Sequence, residues 1–489
     1  MLGLAKMAPA AWRYYASQVA LGLEDYFTGR GEAPGHWTGS GAAALGLVGE
    51  VDPAHLGALF GQGRHPVTGD ALGTPWDHRS TDRVAGYSLS LSPPKSVSVL
   101  WGLGTPGVAA EVAAAHQAAV AAAVRLLEDH AAFSRAGKAG VFQVDTEGLV
   151  VASFVHRTSR AVDPDLHTHL LVSNKVRCAD GRWRALDGRE VFAMQKPAGS
   201  VYQAAIRAEL SARLGVEWEP VDRNGQADIV GVPEGLCRMF STRRRQIEVR
   251  GAERVAAAEA RLGRSLTDEE RAEAFQVATL ETRPAKGGVA EATLSLLERW
   301  RAMAVEAGWA PERWLAKALG RSPAQRSLAR DAGADVVAQV VAELGEQRST
   351  WGRTDAIKAM ARRLPPGLVA TAEEARVWIE AGTDAVVAHR QIVRLVAPAS
   401  VEVSVALCRR DGLATTQRHG GARFTLALEA SVIEAAGRGR EAGRAVASAT
   451  AIDAAVADRG LGADQAVAVR RVCGGGEALV CLVGPAGAG

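Results

Sequence analysis

The amino-acid sequence predicts an α+β fold in which an antiparallel sheet is flanked by helices. Strand patterns follow one another across short turns between Val141 and Val176. An Ala-rich segment from Val108 to Ala132 precedes them with almost no strand breaker, and helical patterns dominate from Ser200 to about Ala285. Strands joined by short turns pair antiparallel, and helices on either side cover the sheet.

Taken in order, Pro9 to Thr28 carries good helix formers interrupted by Gly22. Gly29 to Thr81 is rich in Gly, Pro, Asp and His and reads as loop with short helices. From Val84 the pattern changes: Tyr87, Leu89 and Leu91 alternate with Ser88, Ser90 and Ser92, the period of a half-buried strand, and Pro93-Pro94 ends it. The Ala-rich segment then forms a long helix. Val141 to Val144 and Leu149 to His156 are two strands joined by a tight turn at Asp145 to Gly148. A third strand runs from His167 to Val176, followed by a turn at Asp180-Gly181 and a short strand around Trp183. Beyond about Gly287 the chain is mostly helical, with a β-hairpin expected between Val401 and Phe424 that turns at Asp411-Gly412. Leu479 to Val483 is a short apolar strand leading into the glycine-rich run from Gly484 to Gly489.

At 489 residues the chain is too long for one compact core, so two or three domains are expected. Hydrophobic residues make up 47% and charged residues 23%, an ordinary globular balance that excludes disorder. The net charge of +3 means that any nucleic-acid site is a local patch. Five cysteines, an odd number with no C-x-x-C pair, argue against a disulfide framework or a thiolate zinc site and fit a reducing compartment. No signal peptide and no membrane span are expected, which points to the cytoplasm.

The strongest chemistry lies in His156, a loop through Asp163-Pro164-Asp165, and then His167-Thr168-His169. His167 and His169 are two apart in a strand, so both imidazoles leave the same sheet face. His156 ends the preceding strand, which an antiparallel connection returns alongside. Three neutral imidazoles from adjacent strands can hold one divalent cation and leave positions open for a phosphate oxygen.

The run from Phe154 to Arg160, with Asp163-Pro164, Leu166 to His169 and Asn174, resembles the histidine-triad signature of TrwC/TraI-type (MOB-F) conjugative relaxases. Further matching motifs are Tyr14-Tyr15, Gly39 to Leu47, Ser92 to Ser98, Trp183 to Asp187 and Phe240 to Arg244, in order across roughly Tyr14 to Lys286. The resemblance implies a histidine-triad nuclease domain that nicks origin-of-transfer DNA with a divalent metal, magnesium or manganese. The attacking group is an N-terminal tyrosine: Tyr14 is favoured, with Tyr15 and Tyr26 as further candidates. A phenol of pKa about 10 is a poor nucleophile until a cation polarises the phosphate and helps shed the proton. Lys95, Arg157 and the Arg243-Arg244-Arg245 run are candidates for the DNA backbone, although the arginine run reads equally well as a solvated charged surface.

The sequence departs from the family pattern at one point. Where relaxases show Gly-aromatic-Asp-Leu, this chain reads Gly86-Tyr87-Ser88-Leu89. Either another acid such as Asp82 takes over the missing carboxylate's role, or this copy is slower or impaired. Gly484, Gly487 and Gly489 fit the opening of a G-x-x-x-x-G-K-[ST] phosphate loop, and Leu461 to Gln465 resembles the glutamine motif that precedes it in superfamily-1 helicases. The expected domains are a relaxase domain over 1–286, a helical region over 287–450, and over 451–489 the start of a RecA-like α/β motor with an incomplete ATP site. Single-stranded or hairpin origin-of-transfer DNA, a coupling protein and type IV secretion machinery are the implied partners. A rolling-circle replication initiator and a catalytically impaired DNA-binding relative are the alternatives; tyrosines that precede the histidines favour the relaxase.

Overall fold

The computed structural model describes residues 2–16, 34–74, 76, 83–137, 140, 142–282, 293–321, 333–395, 419–440, 443, 446–477 and 480. Its centre is a five-stranded antiparallel sheet in the order β1 (Leu2–Met7), β3 (Gly86–Leu91), β7 (Pro164–Ser173), β6 (Val151–Thr158), β2 (His36–Thr38). The predicted α+β architecture is the observed one. The alternation read at Tyr87, Leu89 and Leu91 is β3, whose apolar side chains are buried to 5% exposure or less.

One face of the sheet is covered by α4 (Lys95–Leu103), α5 (Pro106–Ala131) and α7 (Gln195–Leu214). Helix α5 is long and apolar enough to cross a membrane, but Val112, Ala115, Ala119, Ala123 and Leu126 are buried in the core. The other face carries α1 (Trp12–Ala16), α2 (Ser40–Ala44) and α3 (Pro53–Leu56), which continues into wider π-type turns over Gly57–Gln62. Phe60, Leu56, Leu45 and Trp37 pack there against Phe154 and Leu171 of the sheet.

Two local pairings differ from expectation. The strand β5 (Phe142–Asp145) does not turn back onto β6; it pairs with β4 (Phe133–Ala136) in a separate two-stranded ladder. The Glu128 carboxylate explains the break. It accepts the backbone N–H groups of Leu149 and Ser40, holding the chain after Gly148 beside the start of α2. The expected third strand ends at Ser173, and β8 (Lys175–Arg177) pairs with β9 (Trp183–Ala185) around the predicted turn. Strand β1 was not anticipated at all.

After α6 (Gly188–Ala193) and α7 come α8 (Glu234–Met239), α9 (Thr242–Leu262), α10 (Asp268–Glu281), α11 (Thr293–Glu306) and α12 (Pro311–Ala318). The chain forms two compact units. The first comprises residues 1–340, 352–388 and 396–418, so it extends beyond residue 286. The second comprises 341–351, 389–395 and 419–489. In it β10 (Ile392–Leu395) pairs antiparallel with β11 (His419–Ala422). The turn expected at Asp411-Gly412 lies outside the described residues, as do Gly22, Tyr26, Asp82, Lys286, Gly484, Gly487 and Gly489.

A histidine cluster and a tyrosine pair on one sheet face

Strands β6 and β7 are neighbouring interior strands of the sheet, and their register sets His156 directly opposite His167 and Phe154 opposite His169. Paired residues project to the same face, so the three imidazoles emerge together. Their ring centroids form a nearly equilateral triangle of 5.2, 4.9 and 5.1 Å, and one nitrogen from each lies within 4.8 Å of the others. A register shift follows His156, the kind of bulge that re-aims a side chain beside a site.

The cluster suits a cation. Burial, and then the positive charge of neighbouring groups, holds His156 down to about 2 and His169 to about 4, so both rings are neutral at neutral pH and offer lone pairs. His167 Nδ1 lies 2.8 Å from the Asp165 carbonyl oxygen; donating a proton there leaves Nε2 as the ligand atom. His169 Nδ1 is buried with no hydrogen-bond partner among the described residues, an orphan that a metal or its bound water would satisfy.

The tyrosine pair meets this face from α1. Tyr15 is buried, its ring edge-on to His169 at 5.4 Å, and its hydroxyl lies 2.8 Å from Ser88 Oγ. Burial raises its pKa against the lowering effect of the Ser88 hydrogen bond. Tyr14 packs edge-on against Tyr15 at 4.9 Å and is 38% exposed. Trp12 anchors the helix by lying on Gly57 and Gly61; a Cβ at those positions would come within 3.1 and 2.9 Å of its indole.

Lys95, a candidate phosphate contact, donates to the Pro164 carbonyl at 2.5 Å, and burial lowers its pKa. Arg157 follows His156 at the bulge. Arg243 donates to the Thr279 carbonyl, Arg244 to Glu248 at 2.7 Å, and Arg245 to the Thr242 hydroxyl, all at the start of α9. The loop joining β6 to β7 holds Val162 at φ 62°, a left-handed conformation that costs a β-branched residue about 1–3 kcal/mol. Behind the sheet Thr168, between the two β7 histidines, meets His116 Nε2 at 2.7 Å, and His116 Nδ1 meets the Tyr202 hydroxyl at 2.7 Å. Neither this buried chain nor the loop's contacts were read from the sequence, because each joins residues far apart in it.

The sheet thus carries three histidines on adjacent inner strands, with Tyr15 of the tyrosine pair set edge-on to one of them. Residues 8–307 match the family described as TrwC relaxase. This chain belongs to the TrwC relaxase family. Two proteins named multifunctional conjugation protein TraI, from Escherichia coli and its strain K12, are 30% identical over 412 and 419 residues. These alignments cover 80% and 81% of this chain but 21% of each relative, so the chain spans about a fifth of their length. Among solved structures, the conjugative relaxase TrwC with oriT DNA in a metal-bound form is similar at a TM-score of 0.51 and 29% identity. It covers 64% of this chain and 100% of its own. The metal-free form of that complex has a TM-score of 0.51 at 28% identity, with the same coverage.

Proposed function

We propose that this chain nicks one strand of origin-of-transfer DNA by metal-dependent transesterification and stays joined to the cut strand through a tyrosine. The observation that carries the reading is the convergence of three imidazoles beside a tyrosine pair. His156, His167 and His169 are the ligands for a divalent cation, magnesium or manganese. When bound, that cation supplies positive charge to the scissile phosphate and to the departing oxygen.

The rest of the step falls to the chain itself. Tyr14 is the proposed attacking residue, because its ring is exposed while burial opposes ionisation of Tyr15 and Ser88 engages its hydroxyl. The phenolic oxygen bonds to phosphorus as the bond from phosphorus to the 3′ oxygen breaks, and the phenol's proton reaches that oxygen through solvent. The products are a 5′-phosphotyrosyl end and a 3′-hydroxyl. The number of phosphoester bonds is unchanged, so the step needs no nucleotide, and a returning 3′-hydroxyl reverses it. Arg157 and the arginines opening α9 contact backbone phosphates. A coupling protein and type IV secretion machinery as partners, a motor beginning near residue 451, and action in the cytoplasm belong to the same reading. Likeness to proteins named multifunctional conjugation protein supports the link to conjugation.

The test is incubation with origin-of-transfer oligonucleotides and Mn²⁺ or Mg²⁺, resolved on a denaturing gel. A shortened strand and a slow protein–DNA adduct are expected. Tyr14→Phe should abolish the adduct with oligonucleotide affinity unchanged, and His167→Ala should abolish both cleavage and metal binding. An adduct mapped by mass spectrometry to Tyr15 or Tyr26 would reassign the nucleophile. Cleavage with no adduct would make the protein a hydrolase instead.

A further inference from the structure

The long helix α9 begins without a cap of its own. Ser241, at the N-cap position, makes no capping bond; its hydroxyl donates to the Cys237 carbonyl at 2.7 Å. The cap comes from Asp163, 79 residues away in the loop that joins the two histidine-bearing strands. The Thr242 backbone N–H donates to one Asp163 oxygen at 2.9 Å and the Thr242 hydroxyl to the other at 3.1 Å. A carboxylate there also faces the positive end of the helix dipole. Lys95 and Arg245 add positive charge nearby.

The same loop is held at every turn. Ser159 N–H donates to the Asp163 carbonyl, and Ser159 Oγ accepts the N–H groups of Ala161 and Asp163. The indole N–H of Trp300, a fully buried side chain of α11, donates to the Val162 carbonyl at 2.9 Å. Lys95 takes the Pro164 carbonyl, and the Leu166 N–H donates to Ser98 Oγ. Left-handed Val162 sits in the middle of these contacts, and such strain persists only where the surroundings dictate the conformation. His156 lies two residues before the end of β6 and His167 four residues after Asp163, and the register shift between His156 and Thr158 stands between that pair of imidazoles and the loop, so the loop's shape acts on their spacing through the bulge.

We propose that Asp163 is a positioning residue that fixes the spacing of His156 and His167 by fastening their connecting loop to the first turn of α9. It rests on the reading of the three histidines as a cation site. The fastening makes the start of the basic helix and the histidine strands a single rigid piece, so a cation is bound by imidazoles already in place.

The test is Mn²⁺ binding to the full chain without DNA, measured by calorimetry alongside thermal melting. Outer partners of this kind set affinity by about 10–100-fold. Asp163→Ala should therefore raise the Mn²⁺ dissociation constant about tenfold. Glu209→Ala is the control: Glu209 of α7 accepts the Ala372 N–H at 2.7 Å at the start of the helix Ala372–Val387, which has in addition a Thr371 capping box of its own. It should lower the melting temperature and leave Mn²⁺ affinity unchanged. Should Asp163→Ala fail to fold, Asp163→Asn and Thr242→Ala each remove part of the pair and are judged by the same criterion. A melting temperature lowered as in Glu209→Ala with Mn²⁺ affinity unchanged would overturn the positioning role. Absence of Mn²⁺ binding by the parent protein would remove the cation site itself, and the inference with it.

Discussion

The hydroxyl at position 88 lies on the sheet face that carries the histidines, two residues along β3 from the partner of His169. Its bond to Tyr15 at 2.8 Å holds the ring but accepts no proton at neutral pH. A carboxylate in its place would both orient the phenol and take up charge. Ser88→Asp is therefore expected to raise the single-turnover cleavage rate by about tenfold, within the range such outer contacts command, with DNA affinity unchanged. A rate equal to the parent's would mean that another group already performs the task; Asp82→Asn in the parent would then slow cleavage if that group is Asp82. If neither variant moves the rate, position 88 has no part in proton transfer.

At the scale of elements, the histidine strands were legible because two imidazoles at a spacing of two commit a strand to one face, whatever lies around it. The alternation in β3 was equally plain. Strand β1 was not, since Leu2–Met7 is a six-residue edge whose exposed positions include Ala5 and Lys6 and whose partner begins at Gly86. The sequence pattern marks β5 as a strand but not its neighbour, because the Glu128 contact that holds the chain at Leu149 comes from 21 residues away. Helix α1 depends on similarly distant support: Trp12 rests on two glycines four apart, and no local pattern announces that bed. Gly61→Ala puts a methyl group where the indole now lies. It should shift α1 and lower adduct formation while Mn²⁺ affinity, which depends on β6 and β7, stays at the parent value. Loss of both together would show that the tyrosine helix and the histidines move as one.

For the molecule as a whole, the buried His116 and His156 and the half-buried His169 make stability depend on pH. Burial lowers His116 to about 3, His156 to about 2 and His169 to about 4, whereas the unfolded chain protonates histidine near 6.5. Below that value the unfolded state binds more protons than the folded one, so stability falls as pH falls. Their contribution is complete above about pH 6.5 and declines below it, by up to about 4 kcal/mol per pH unit if all three stay neutral in the fold. Metal-free protein should therefore melt progressively lower from pH 6.5 to 5, and His116→Asn should flatten that slope. A melting temperature constant across this range would show that these rings do not remain neutral.

The tyrosine helix also has a mechanical address. Residues 8–11 link it to the Met7 end of β1, which is tied to the sheet by six residue pairs with β3 alone. Tension in a strand of DNA bonded to Tyr14 would enter the protein at Met7↔Gly86 and open that ladder from its near end, one pair after the next. Toward the N-terminal side that load path ends at an outer edge, while the Tyr15 ring carries load straight to Phe154 of β6 and His169 of β7.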